Sequence, residues 1–188
     1  SIFPEGEMAV TTFVPFHSPE DLKGKKIRVM PGSPILVGTY KAFGASPVPM
    51  TWGDLIGALK TNMVDGHENP TVWIEAYDLD HLTKVLTYTG HGHFNASASA
   101  NKKFFDELGE RDKKLVRAAA EHAHEIILKE AEKLDAYGLG RIVRTNPSYQ
   151  IVTLSESERV PFKEAAKAVQ ASFASKSASN KKVLDQMV

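Results

Sequence analysis

Between residues 26 and 101 short apolar runs alternate with short helix-patterned stretches, separated by loops of only a few residues. That alternation constrains the chain more than any other feature, because strands joined by helices over short loops pair in parallel and build an α/β sheet. Residues 27–30 (Ile-Arg-Val-Met) read as a short buried strand halted by Pro31 and Gly32. Ser33 and Pro34 then supply a cap and a first-turn proline for a helix over 34–43, which Gly44 stops. Residues 48–50 form a second strand, and 54–59 a helix with Leu55, Ile56 and Leu59 on one face. A third extended segment is expected to begin at 64–66 and to be ended by Asn69-Pro70, with a fourth at 85–88 and a fifth at 94–100. Ligands on such sheets lie beyond the carboxyl ends of the strands, so the loops after Arg28, Met50 and Gly66 are the first places to look.

From residue 102 onward the sequence turns helical, charged and rich in alanine. A helix is expected over 102–108 and a long one over 110–137, with Leu115, Ala118, Ala119, His122, Ile126 and Lys129 near one stripe. Gly138 and Gly140 are expected to end it. Ile142 and Val143 read as a short strand, and 155–172 as an amphipathic helix opened by a Ser155/Glu158 capping box. The polar stretch 175–180 is the least order-prone by composition.

A length of 188 residues suffices for one good core or parts of two. Lys+Arg and Asp+Glu balance at 23 each, so no overall field favours nucleic acid, and recognition of any anion has to be local. The absence of cysteine excludes disulfides and thiolate metal sites. No run reaches the apolar length of a membrane helix. Residues 1–7 (SIFPEGE) look like neither a natural start nor a signal peptide, as expected of a processed exported protein or a piece of a longer one.

Several segments together resemble the DctP family of TRAP transporter solute-binding proteins: Ser18-Pro-Glu-Asp-Leu-Lys-Gly24, Lys26-Ile-Arg-Val29, Gly44-Ala-Ser-Pro-Val-Pro-Met50, Val64-Asp-Gly-His-Glu-Asn-Pro70, and Leu86-Thr-Tyr-Thr-Gly-His91. The family usually has Gln where this chain has His67. The resemblance implies a lobe of the type II periplasmic-binding-protein fold, with a mixed sheet flanked by helices and a long linking helix. It places the second ligand-binding lobe at 8–101 and 141–188, and linking helices at 102–140. The first lobe is largely missing. It further implies a periplasmic receptor, not an enzyme, that needs no cofactor or metal. Such a receptor takes a small organic acid and delivers it to TRAP permease subunits. A long helix deprived of its first lobe would expose an apolar face, a route to a homodimer.

Arg28 is costly on an apolar strand unless its guanidinium finds an acceptor, and its planar fork matches a carboxylate. In the resembled family this Arg grips the ligand carboxylate; the bland alternatives are an Arg turned to solvent or paired with a core acid. Asn69 matches a family residue that hydrogen-bonds the same carboxylate, against the alternative of a turn residue before proline. Trp52 matches an aromatic wall of the cleft, against the alternative of a helix-start residue packed into the core. Phe94 falls near a second aromatic position. Glu68 is expected to orient its neighbours, and His91 to line the cleft. Pro31, Gly32 and Ser33 form the loop beside Arg28, where amides opening the next helix would also meet an anion.

Many members carry a second Arg about twenty residues before Arg28. Counting back reaches Met8, and no Arg precedes Arg28. A monocarboxylate or zwitterion is therefore expected. Two other functional classes compete with this reading. His91 and His93 share a strand face as a possible metal pair, but no HExxH or nucleotide-binding motif accompanies them. A sensor domain of the same fold, signalling to a partner protein, would carry the same cleft.

Overall fold

The computed structural model describes residues 2–187, and Ser1 of the SIFPEGE segment lies outside them. Six strands make one mixed sheet in the order β3 (Ser46–Pro49), β2 (Lys26–Val29), β4 (Gly66–Pro70), β1 (Ile2–Thr12), β5 (Val85–Ser97), β6 (Gln150–Thr153). β3, β2 and β4 run parallel, with Arg28 opposite Val48 on one side and His67 on the other. Helices α1 (Pro34–Ala42), α2 (Trp52–Lys60) and α3 (Thr71–Ala76) follow β2, β3 and β4 in the chain, as the alternating pattern requires.

The centre of the sheet was not anticipated. β1 lies antiparallel between β4 and β5, although its sequence IFPEGEMAVTT carries a Pro and a Gly that read as strand breakers. Its inner half alternates apolar residues to both faces. Ala9 joins a core with Leu55, Leu59, Ile74 and Leu86, while Val10 joins an opposite one with Phe16, Ile27, Tyr40 and Phe162. Gly66 lets β4 come this close: a Cβ there would sit 2.1 Å from the Thr11 carbonyl oxygen.

The remaining chain is α4 (Lys102–Glu107), α5 (Glu110–Thr145), α6 (Glu156–Ala174) and α7 (Ala178–Met187). Two expectations fail here for one reason. α5 does not stop at Gly138 or Gly140 and carries Ile142 and Val143 as helix rather than strand. Gly138 is a packing glycine: a Cβ there would lie 3.2 Å from Val72 Cα and 3.3 Å from the Thr71 carbonyl, so its bareness lets α5 rest on α3. Ile142 is thereby buried in the core beneath α3, and the strand expected there is β6, eight residues later. The segment expected to open at 64–66 and end at Asn69-Pro70 is β4, and 94–100 is largely the far end of β5. The Ser155/Glu158 capping box opens α6 as expected. Residues 175–177 form the turn before α7 and 178–180 are already its first residues, with Ser177 Oγ accepting from the Asn180 amide at 3.0 Å.

Candidate ligand-binding site

A cavity of about 520 Å³ lies beyond the carboxyl ends of the parallel strands, where an α/β sheet of this topology collects ligands. β2 contributes Arg28 and, just past its end, Met30 and Pro31; beyond the end of β3 come Thr51, which caps α2, and Trp52, its first residue. Asn69 comes from β4, and Trp73 and Tyr77 from the helix that follows. Glu5 and Met8 of β1 and Phe94 of β5 close the far wall.

Arg28 is only 5% exposed. Its Nε donates to the Met50 carbonyl at 2.9 Å, which fixes the plane of the fork. No carboxylate comes within ion-pair distance of it among the described residues, so the two terminal nitrogens have no protein acceptor. Burial lowers its pKa and the charge of Glu68 opposes that shift, but a guanidinium remains charged at neutral pH. Its Cζ lies 5.7 Å from the centre of the Trp52 ring, within cation–π range. A buried cation whose terminal donors face a cavity is chemically suited to an anionic group.

His67, opposite Arg28 in the parallel register, is fully buried. Burial first and the Arg28 charge second push its pKa down to about 3, so it is a neutral imidazole. Its Nδ1 lies 2.9 Å from Asn69 Nδ2 and accepts the amide proton. That leaves Nε2 protonated and without a partner among the described residues. The contact holds the Asn69 amide against the cavity wall beside Arg28.

Glu68 lines the cavity wall, while its carboxylate engages Tyr40 and His91. Its Oε2 accepts from Tyr40 Oη at 2.8 Å and lies 3.2 Å from His91 Nε2, while its Oε1 is buried without a hydrogen bond. Burial and the Glu68 charge together raise the Tyr40 pKa.

Six of the eight residues expected at the site line this one cavity: Arg28, Pro31, Trp52, Glu68, Asn69 and Phe94. Gly32 stands just outside the wall, where its φ of +76° makes the turn after Pro31. His91 is elsewhere. It lines a separate cavity of about 540 Å³ with Phe43 and Phe162. The pairing of β5 jumps from Tyr88 to His93 opposite Ala9 and Glu7, and the intervening residues bulge away, with Gly90 at φ +68°. The opening of α1 also lies outside the Arg28 cavity, against α6, so its amides do not meet that site. Trp73, Tyr77, Glu5 and Met8 were missed. The carboxyl-end rule would have found Trp73 and, one turn later, Tyr77, had a helix been expected after Pro70; nothing local marks Glu5.

The family described as bacterial extracellular solute-binding protein, family 7 (DctP), matches residues 1–177. The chain is 40% identical to the ectoine-binding periplasmic protein TeaA of Halomonas elongata over 172 residues, 92% of this chain and 50% of the relative. It is likewise 40% identical to the ectoine/5-hydroxyectoine-binding periplasmic protein UehA of Ruegeria pomeroyi over 173 residues, 92% of this chain and 51% of the relative. The chain therefore spans about half the length of these relatives. A solved structure of the ectoine-binding protein of the Halomonas elongata TeaABC TRAP transporter superposes with a TM-score of 0.94 at 38% identity, covering 99% of this chain and 61% of that one.

Proposed function

The chain belongs to the DctP family of bacterial extracellular solute-binding proteins, and from that premise we propose that its cavity captures a small carboxylate-bearing solute in the periplasm for delivery to a TRAP membrane permease. The observation that carries this reading is the buried, unpaired fork of Arg28 at the carboxyl ends of the parallel strands. The Arg28 terminal nitrogens donate two parallel hydrogen bonds to the carboxylate, and the free amide proton of Asn69, whose other proton His67 engages, adds a third. Trp52 and Trp73 wall the ligand body.

Ectoine, a compact cyclic carboxylate with a delocalised cation, is the first candidate ligand, because two relatives at 40% identity are named for it. The length of the relatives not represented here supplies the opposite wall of the cleft. The exposed apolar residues Leu115, Ile126 and Leu134 of α5 are where we place that other lobe; left bare, the same surface favours self-association. Closure of the lobes on the ligand is a shift between two states, with the closed form binding more tightly.

A thermal-shift panel of carboxylates on the full-length receptor tests the reading. Stabilisation scales with the logarithm of ligand concentration over Kd. The melting temperature should rise with carboxylates, ectoine included, and not with the corresponding amides. Equal shifts with acids and amides would refute it.

A further inference from the structure

We propose that Glu5 is the residue that selects the cationic end of the ligand, making this cavity a zwitterion site rather than a general anion site. The proposal rests on the carboxylate-capture reading above and deepens it.

The position of Glu5 is built by a β-bulge. In the β1–β5 pairing Pro4 faces Asn95 and Gly6 faces Phe94, so two consecutive residues of β5 are opposed by three of β1, and Glu5 is the extra one. Gly6 takes φ +128°, a conformation that side-chain-bearing residues rarely adopt. Bulges of this kind re-aim a side chain, and they recur beside functional sites. Here the bulge brings Glu5 into the wall of the Arg28 cavity, next to Trp73 and Phe94.

Once there, the carboxylate is half committed. Its Oε2 accepts from Trp73 Nε1 at 2.8 Å, while Oε1 has no protein donor among the described residues. Glu68, the other acid of the wall, is differently placed: it is 3% exposed and holds Tyr40 and His91. Arg28 is the one basic residue among those lining the cavity. Through His67 it stands level with Thr11 of β1, so Glu5 lies two strands over and six residues farther along β1. Both residues nevertheless line the same cavity, which puts opposite charges at well-separated points of its wall for a compact ligand to bridge.

The aromatic groups between the two charges favour a flat, delocalised cation. Trp52 stands edge-on to Tyr77 with ring centres 5.0 Å apart, and Trp73 lies 6.1 Å from Tyr77. Such faces attract cations, and the free Glu5 oxygen asks for an N–H donor. A second carboxylate in the same place would meet the negative charge of Glu5 directly. The same residue therefore rejects dicarboxylates as it accepts zwitterions.

Calorimetric titration of the full-length receptor and its Glu5→Gln variant with ectoine, cyclohexanecarboxylate and succinate tests this. Gln keeps a carbonyl for the Trp73 indole N–H, so the wall should stay in place, and an unchanged thermal midpoint without ligand would verify that. The expected result has three parts. Ectoine binding weakens by about tenfold or more, as for loss of a charged hydrogen bond; cyclohexanecarboxylate changes by less than about twofold; and succinate binds more tightly to the variant than to the wild type. A merely structural role for Glu5 cannot produce that last gain. Parallel weakening of all three ligands, or no change in any, would overturn the assignment of Glu5 while leaving carboxylate capture standing. Failure of the wild type to bind any of the three would sink both.

Discussion

The neutral His67 beneath the site makes folding stability depend on pH in a defined direction. In the unfolded chain this imidazole takes up a proton below its ordinary value of 6.5; in the folded protein it does not until about pH 3. Between those limits the unfolded state binds the extra proton, so stability is fully present above pH 6.5 and declines as the pH falls toward 3. Each pH unit inside the window costs about 1.4 kcal/mol. The loss attributable to His67 is therefore about 2 kcal/mol at pH 5 and on the order of 5 kcal/mol at pH 3. His67→Gln removes the titrating group while its amide carbonyl can still accept from Asn69 Nδ2, the bond that His67 Nδ1 makes at 2.9 Å. Urea denaturation of both proteins from pH 7.5 to 4 should give stabilities that differ by a constant near neutrality and converge or cross as the pH drops. Parallel curves across the whole range would refute the buried neutral imidazole.

Two further perturbations separate the site from its scaffold. Trp52→Ala should weaken ligand binding by about 1–2 kcal/mol, less than loss of the Arg28 fork, and change the ranking among carboxylates of different bodies, read by titration. Gly138→Val should destabilise the fold by about 1–3 kcal/mol through overpacking against Thr71 and Val72, which a denaturation midpoint would show; an unchanged midpoint would contradict the tight α3–α5 contact.

Much of the site was legible because its residues follow the carboxyl-end rule of parallel sheets, which needs only the strand positions. Arg28, Trp52 and Asn69 sit at or just beyond the ends of β2, β3 and β4. Trp73 was missed because no helix was expected after Pro70, although the extended segment opening at 64–66 and ended by Asn69-Pro70 coincides with β4. β1 escaped detection for a different reason. Pro4 and Gly6 interrupt its pattern, and the bulge that tolerates them is set by pairing with residues 94–95, some ninety positions away. Gly138 shows the same limit. A glycine that ends a helix and one that admits a neighbouring backbone look alike until the neighbour, here Thr71 and Val72, is known. His91 was misplaced because the excursion between Tyr88 and His93 carries it to the other face, against Tyr40 and Phe43.

Carboxylate capture by this cavity requires that the guanidinium at position 28 bind the ligand directly. Titration of the full-length protein with ectoine, wild type against Arg28→Ala, measures that directly. Removing one member of a buried, hydrogen-bonded charge pair should cost about 3–5 kcal/mol, a loss of more than a hundredfold in affinity. Binding that survives the substitution at close to wild-type strength would contradict carboxylate capture by this cavity.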